Sequence, residues 1–190
     1  MDIRYSCNQR DFKRYTTEET RREFLIETLF VPGKVTPVYS HVDRMVTVGI
    51  MPADKPLPID DGIDVWHCFG THYFLERREA GMFNVGGAGK VSVDGTVYEL
   101  GYKDCLYITM GAKEVVFCSD DPANPAKFYM VSAFTLDSSR SASACTRAAS
   151  RPLRLAIIMM MTPITKPTKH AKMGTRILFI YIKPPILKRT

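Results

Sequence analysis

Four basic side chains stand where their chemistry could be used. Arg77 and Arg78 lie inside the cluster Glu76-Arg77-Arg78-Glu79. Neighbouring residues of an extended segment face opposite ways, so one guanidinium is expected to point inward and the other outward. A guanidinium can grip a carboxylate through two parallel hydrogen bonds; the plainer alternative is a salt bridge between strands or subunits. His41 and Arg44 stand three apart at the start of a β-branched run. They suit a subunit interface, a neighbouring active site or a purely structural role. Lys113-Glu114 reads as a cross-strand charge pair. The cysteines Cys7, Cys68, Cys105, Cys118 and Cys145 are scattered without Cys-x-x-Cys spacing, which argues against a zinc ribbon or a disulfide framework.

Most of the segments that position these residues read as β. Thr16 to Phe30 offers a helix, with a capping residue and acids in its first turn, or equally a segment that is part strand, ended by Pro32-Gly33. Met45–Met51 is a β-branched run, and the Pro- and acid-rich stretch Asp54–Asp64 is a loop. Short strands are then expected at His72–Glu76, Met82–Val85, Lys90–Asp94, Thr96–Leu100, Cys105–Thr109, Glu114–Ser119 and Lys127–Phe134. Asp94-Gly95 is a two-residue hairpin signal, because both central positions of that turn favour positive φ. No helices alternate with these strands, so a sandwich or small barrel is expected rather than a doubly wound parallel sheet.

Charge divides the chain. Through Leu136 there are 15 Lys and Arg against 19 Asp and Glu; from Asp137 to Thr190 there are 11 against one. The basic segment is low in complexity around Ser138–Ala144 and carries Met159-Met160-Met161 and Pro184-Pro185. Such a segment attracts polyanions, yet Phe179 and Tyr181 are its only aromatics and no nucleic-acid-binding motif spacing appears, so no specific nucleic-acid partner is expected. The longest uncharged apolar runs, Leu155–Met161 and Ile177–Ile182, fall far short of the roughly 20 residues of a bilayer span. With no signal-like N-terminus either, a cytoplasmic protein without a membrane partner is the expectation.

The run Glu79-x6-Gly86, Val91–Gly95, Tyr98-Glu99-Leu100-Gly101, Asp104, Tyr107-Ile108 and Gly111 resembles a cupin. The segments Val38–Arg44, Gly49-Ile50-Met51-Pro52, Tyr73–Glu79, Gly86-Gly87-Ala88-Gly89 and Gly111–Phe117 resemble the N-terminal half of the uronate ketol-isomerase family, in order and spacing, from about Glu23 to Ala133. The resemblance implies an all-β, cupin-like antiparallel barrel (jelly roll). It also implies isomerisation of a 4-deoxy uronate from pectin breakdown, a homohexamer of two-cupin subunits, and zinc. In the family, zinc is held in the C-terminal half by His-x-His-x4-Glu and a later His. Here only His170 and no glutamate follow Ala133, so that set transfers to no residue and this chain is expected to bind no zinc.

Set against the cupin metal motif, His72 takes the first His position, Phe74 the second, and Glu79 and Gly86 are in register, while Glu114 stands where a second-motif ligand would be. These three could form a one-histidine, two-carboxylate site; the alternative is a vestigial interior filled by Phe74. The expected organisation is an arm with a short helix over 1–34, a cupin-like barrel over 35–136, and a poorly ordered basic tail over 137–190. The tail's composition fits a shift of reading frame near codon 136 or a divergent extension. The expected function is ketol-isomerase, inactive as this chain stands; the alternative is a non-catalytic sugar-binding or assembly module.

Overall fold

A computed structural model describes residues 1–135 and 146–148. The strands are β1 (Asp2–Arg4), β2 (Lys34–Ser40), β3 (Met45–Met51), β4 (Leu57–Pro58), β5 (Arg78–Asn84), β6 (Gly89–Val93), β7 (Thr96–Leu100), β8 (Cys105–Ile108), β9 (Val115–Ser119), β10 (Phe128–Phe134) and β11 (Thr146–Ala148). Among the described residues three short helices accompany them: α1 (Gln9–Phe12), α2 (Thr17–Phe24) and α3 (Val65–Phe69).

One sheet runs β1-β2-β3-β10-β5-β8-β11 and the other β4-β9-β6-β7. Between β3 and β10 the chain changes sheet at every connection except the β6–β7 hairpin. That interleaving is the double Greek key of a jelly roll. All pairings are antiparallel except β1 on β2. The fold is therefore all-β, as expected.

The core lies between the sheets. Val46, Val48, Ile50, Met82, Leu106 and Met130 face Val91, Val93, Val115 and Phe117 in one buried cluster. Phe117 of the smaller sheet and Phe128 of the larger meet with ring centroids 5.4 Å apart. Full burial of each such ring contributes about 1.5–3 kcal/mol. At the hairpin, Asp94 (φ 46°) and Gly95 (φ 83°) take the expected left-handed conformations. The Asp94 carboxylate also accepts the amides of Lys113 and Glu114, both at 2.9 Å. Lys113 and Glu114 are exposed and form no ion pair with each other, so they grip the hairpin through backbone rather than pairing by charge.

Three local expectations are corrected. The helix expected over Thr16–Phe30 stops at Phe24. It starts with a full capping box between Thr16 and Glu19, but Leu25 is extended (ψ 128°). The chain beyond must lie flat so that Leu29 covers Gly49; a Cβ at Gly49 would come within 2.1 Å of the Leu29 carbonyl oxygen. Within Asp54–Asp64, Leu57 and Pro58 pair with Phe117 and Val116. His72–Glu76 is a series of turns rather than a strand, and the preceding Val65–Phe69 is helical. The basic tail lies outside the described residues apart from Thr146–Ala148, which pair with β8.

Candidate functional site

The sequence-selected arginines and His41 gather at one end of the larger sheet. β1 ends there, the β2–β3 turn carries His41 to Arg44, β10 finishes there, and β5 begins opposite it, with Arg78 paired to Phe134. Alternation turns Arg78 inward and leaves Arg77 exposed.

Arg78 is 3% exposed. Its Nε donates to Ser132 Oγ at 3.1 Å, and one terminal nitrogen donates to the carbonyls of Ser132 and Arg44, each at 2.9 Å. Its guanidinium carbon lies 5.0 Å from the Phe69 ring centroid and 6.0 Å from that of Phe74. Among the described residues no carboxylate lies within ion-pair distance of it. Burial pulls its pKa down from 12.5 to about 10, which leaves it charged at neutral pH. The cation is thus held by carbonyl oxygens and aromatic faces, and it ties β5, β10, the β2–β3 turn and α3 into one unit.

Arg44 is exposed, with φ 53°, and its carbonyl is fixed by Arg78. His41 stacks on Tyr5 (centroids 4.8 Å, planes 10° apart) and meets the edge of Tyr39. Arg44, Arg77 and His41 therefore present charge and donors outward, while Arg78 acts from beneath.

The other three candidates are placed differently. His72 is exposed; its amide and Nδ1 both meet Glu76 Oε2, at 2.6 and 3.3 Å. Donation from the His72 amide is the first cause holding the Glu76 carboxyl below its usual range. Glu79 accepts the Tyr107 hydroxyl at 2.5 Å. Glu114 is exposed beside Asp94. Phe74, 1% exposed, occupies the interior position. Among the described residues no group of three His, Cys, Asp or Glu is arranged to hold a metal ion. The described residues therefore do not fit the zinc that the family resemblance implies.

Sequence reasoning missed α3 and what it carries. Asp64 caps it through the His67 amide at 3.0 Å, and Gly70 ends it in the left-handed conformation (φ 65°). Between them Phe69 packs inward on Arg78 and Phe74, while Trp66 stands 60% exposed beside His72. The pair Asp64…Gly70, a capping residue and a left-handed terminator six apart, was the available signal.

No protein-family model matches the chain. Among curated proteins it is 50% identical over 133 residues to the 4-deoxy-L-threo-5-hexosulose-uronate ketol-isomerase of Halalkalibacterium halodurans, covering 70% of this chain and 47% of that protein. It is also 50% identical over 129 residues to the enzyme of the same name from Escherichia coli O139:H28, covering 68% and 46%. Among solved structures, a cupin domain of a transcriptional regulator from Enterobacter cloacae aligns at TM-score 0.41 and 11% identity, over 54% of this chain and 97% of that one. An RmlC-like cupin from Desulfovibrio desulfuricans aligns at 0.39 and 16%, over 54% and 83%. Over its matched residues the chain is a homologue of the 4-deoxy-L-threo-5-hexosulose-uronate ketol-isomerases, and it spans about half the length of these curated relatives.

Proposed function

We propose that this chain carries the N-terminal cupin half of a ketol-isomerase of uronate breakdown. The whole protein would interconvert 5-dehydro-4-deoxy-D-glucuronate and 3-deoxy-D-glycero-2,5-hexodiulosonate, exchanging a carbonyl and a hydroxyl between neighbouring carbons through an enediol-like state. The observation that carries this reading is the 50% identity over 133 residues to enzymes of that name. In the whole protein, a homohexamer of the cytoplasm in this reading, zinc would polarise the carbonyl from a site these residues do not supply.

The part proposed for this chain is binding. The substrate's carboxylate is gripped by Arg77 and Arg44, with His41 as a further donor and Arg78 fixing the Arg44 carbonyl from below. The purified 190-residue chain, with and without added zinc, is assayed for conversion of the 4-deoxy-5-keto-uronate. No turnover is expected from it alone. In a chimera that appends the remaining half of the Halalkalibacterium relative after β10, turnover is expected. Arg77→Ala there should raise KM about tenfold with little change in kcat, the signature of lost uniform binding. A chimera that folds and binds metal but turns nothing over overturns the reading.

A second reading, a non-catalytic sugar-binding or assembly module, is favoured by Phe74 filling the interior and by the dispersal of His72, Glu79 and Glu114. It predicts uronate binding by the chain without turnover in either protein.

A further inference from the structure

Three polar side chains near Phe74 are buried without being fully used by the fold. The Arg78 guanidinium has no carboxylate within ion-pair distance among the described residues, and only its Nε and one terminal nitrogen donate to them. Asp60 accepts from the Phe74 amide, yet its Oδ1 is buried with no hydrogen-bond partner, and no described cation lies within ion-pair distance of it. Thr71, 2% exposed, has a buried hydroxyl in the same condition. Each unpaired buried polar atom costs about 1–3 kcal/mol, a loss that native folds tolerate where function uses the group. Phe74 links the set. Asp60 meets its backbone, while the Arg78 guanidinium carbon lies 6.0 Å from its ring centroid, so the acid and the cation stand at opposite ends of one residue. Thr71 opens the turn that leads to it.

The cover over these groups is lightly held. α3 lies between Asp60 and Thr71 in the chain, and its Phe69 ring sits 5.0 Å over the Arg78 guanidinium and 5.8 Å from the Phe74 ring. Val65 is its one buried residue, and Gly62 and Gly70 flank it with φ of 75° and 65°. We propose that α3, with the rings of Phe69 and Phe74, closes over a subsite for a hydroxylated carboxylic acid of the sugar-acid class. Arg78 takes the carboxylate through charge-assisted hydrogen bonds. Asp60 Oδ1 accepts one ligand hydroxyl, and Thr71 Oγ1 donates to or accepts from another. An anion, a donor and a hydroxyl partner are the three things these side chains lack, and a polyhydroxy acid carries all three. The subsite lies beneath Arg44 and Arg77 and is separate from the surface they present. It deepens the reading above and rests on it for the choice of a uronate as ligand.

The test uses the 190-residue chain labelled with 5-fluorotryptophan, whose single fluorine resonance reports on α3 from Trp66. D-galacturonate is the probe; D-galactose, which lacks the carboxylate, and acetate, which lacks the hydroxyls, are the controls. A saturable shift is expected with galacturonate, and binding of either control is expected to be weaker by about tenfold or more, because each leaves buried polar groups unpaired. Thr71→Val and Asp60→Asn alter groups the fold does not use, so urea unfolding at neutral pH without ligand should find both at least as stable as wild type. Both should nonetheless bind galacturonate about fivefold more weakly or worse. A merely structural role would move stability and binding together. Arg77→Ala is expected to leave the shift in place. Absence of a saturable shift overturns the proposal, and so does an equal response to galactose. A response that survives Thr71→Val and Asp60→Asn but is lost in Arg77→Ala also overturns it, by assigning the ligand to the surface. Turnover is not read here, so failure of this subsite leaves the isomerase reading to its chimera, and failure of the chimera does not remove the shift.

Discussion

Strand β5 carries a buried polar residue at each end, and the two ends of the molecule differ accordingly. At its finish, Asn84 is fully buried. Its amide donates to the carbonyls of Gly87 and Leu100 at 2.7 and 2.9 Å, and its oxygen accepts from Gly86 and Lys127 at 3.1 and 3.3 Å. Every bonding site of a neutral side chain is used, and the loops close tightly: a Cβ at Gly87 would come within 2.0 Å of the Asn124 carbonyl oxygen. At its start, Arg78 brings a full charge with no carboxylate within ion-pair distance among the described residues, set against the partly buried ring of Phe69 and the buried ring of Phe74. One end is held by neutral groups alone, whereas the other holds a charge on carbonyls, a hydroxyl and rings. Two ways of burying a polar side chain thus sit six positions apart on one strand.

Breaking the Arg78 end should cost most. Arg78→Ala removes three hydrogen bonds, strands the Ser132 and Arg44 carbonyls and opens a cavity beneath Phe69, a loss of about 3–5 kcal/mol. Urea unfolding of the 190-residue chain, read at constant m, measures it. Asn84→Ala leaves four backbone groups without their partner and should cost about 2–4 kcal/mol in the same experiment. If the two losses were reversed in order, the charged end would be the less integrated one.

A pH series sharpens the contrast. Burial raises the Asp60 pKa above its ordinary 3.8, and the Phe74 amide only partly opposes this; one of its carboxylate oxygens is buried without a hydrogen bond. A carboxyl whose pKa is raised by folding favours the fold while protonated, and that advantage is lost as pH rises through the folded pKa. Asp60→Asn should therefore become stabilising relative to wild type as pH climbs from 4 to 7, with melting midpoints compared at each step. The smallest effect belongs to Trp66→Ser. Surface substitutions shift stability by no more than about 0.5 kcal/mol, so a larger loss on urea unfolding would mean that Trp66 supports the fold.

What was legible in the sequence was local or periodic. Asp94-Gly95 announced its hairpin because positive φ at both positions is an intrinsic preference. Met45–Met51 announced β3 through β-branched composition, and alternation at Arg77-Arg78 separated an inward from an outward guanidinium. The partners of Arg78 were not legible: Ser132 lies 54 residues away, and only the pairing of β5 with β10 brings it near. Val65–Phe69 drew no reading because five residues are too few for a helical period and Val, Trp and Phe carry strand propensity, while caps at Asp64 and Gly70 and the seat of Phe69 on Arg78 decide for helix. His72 and Glu79 looked like parts of one ligand set in linear spacing, but the turn over 72–76 spends His72 on Glu76 and leaves Glu79 to Tyr107.

The place of β10 has a consequence in time. It lies between β3 and β5, yet it follows both of them by dozens of residues in the chain. A nascent chain that has made β3, β5 and even β9 still exposes two raw strand edges, and no local rearrangement can pair them until residues 128–134 arrive. Assembly of the larger sheet is therefore gated by its last-made central strand, a high-contact-order step that is slow and open to mispairing with other chains. Slowing synthesis before residues 128–134 are free to pair lengthens that vulnerable interval.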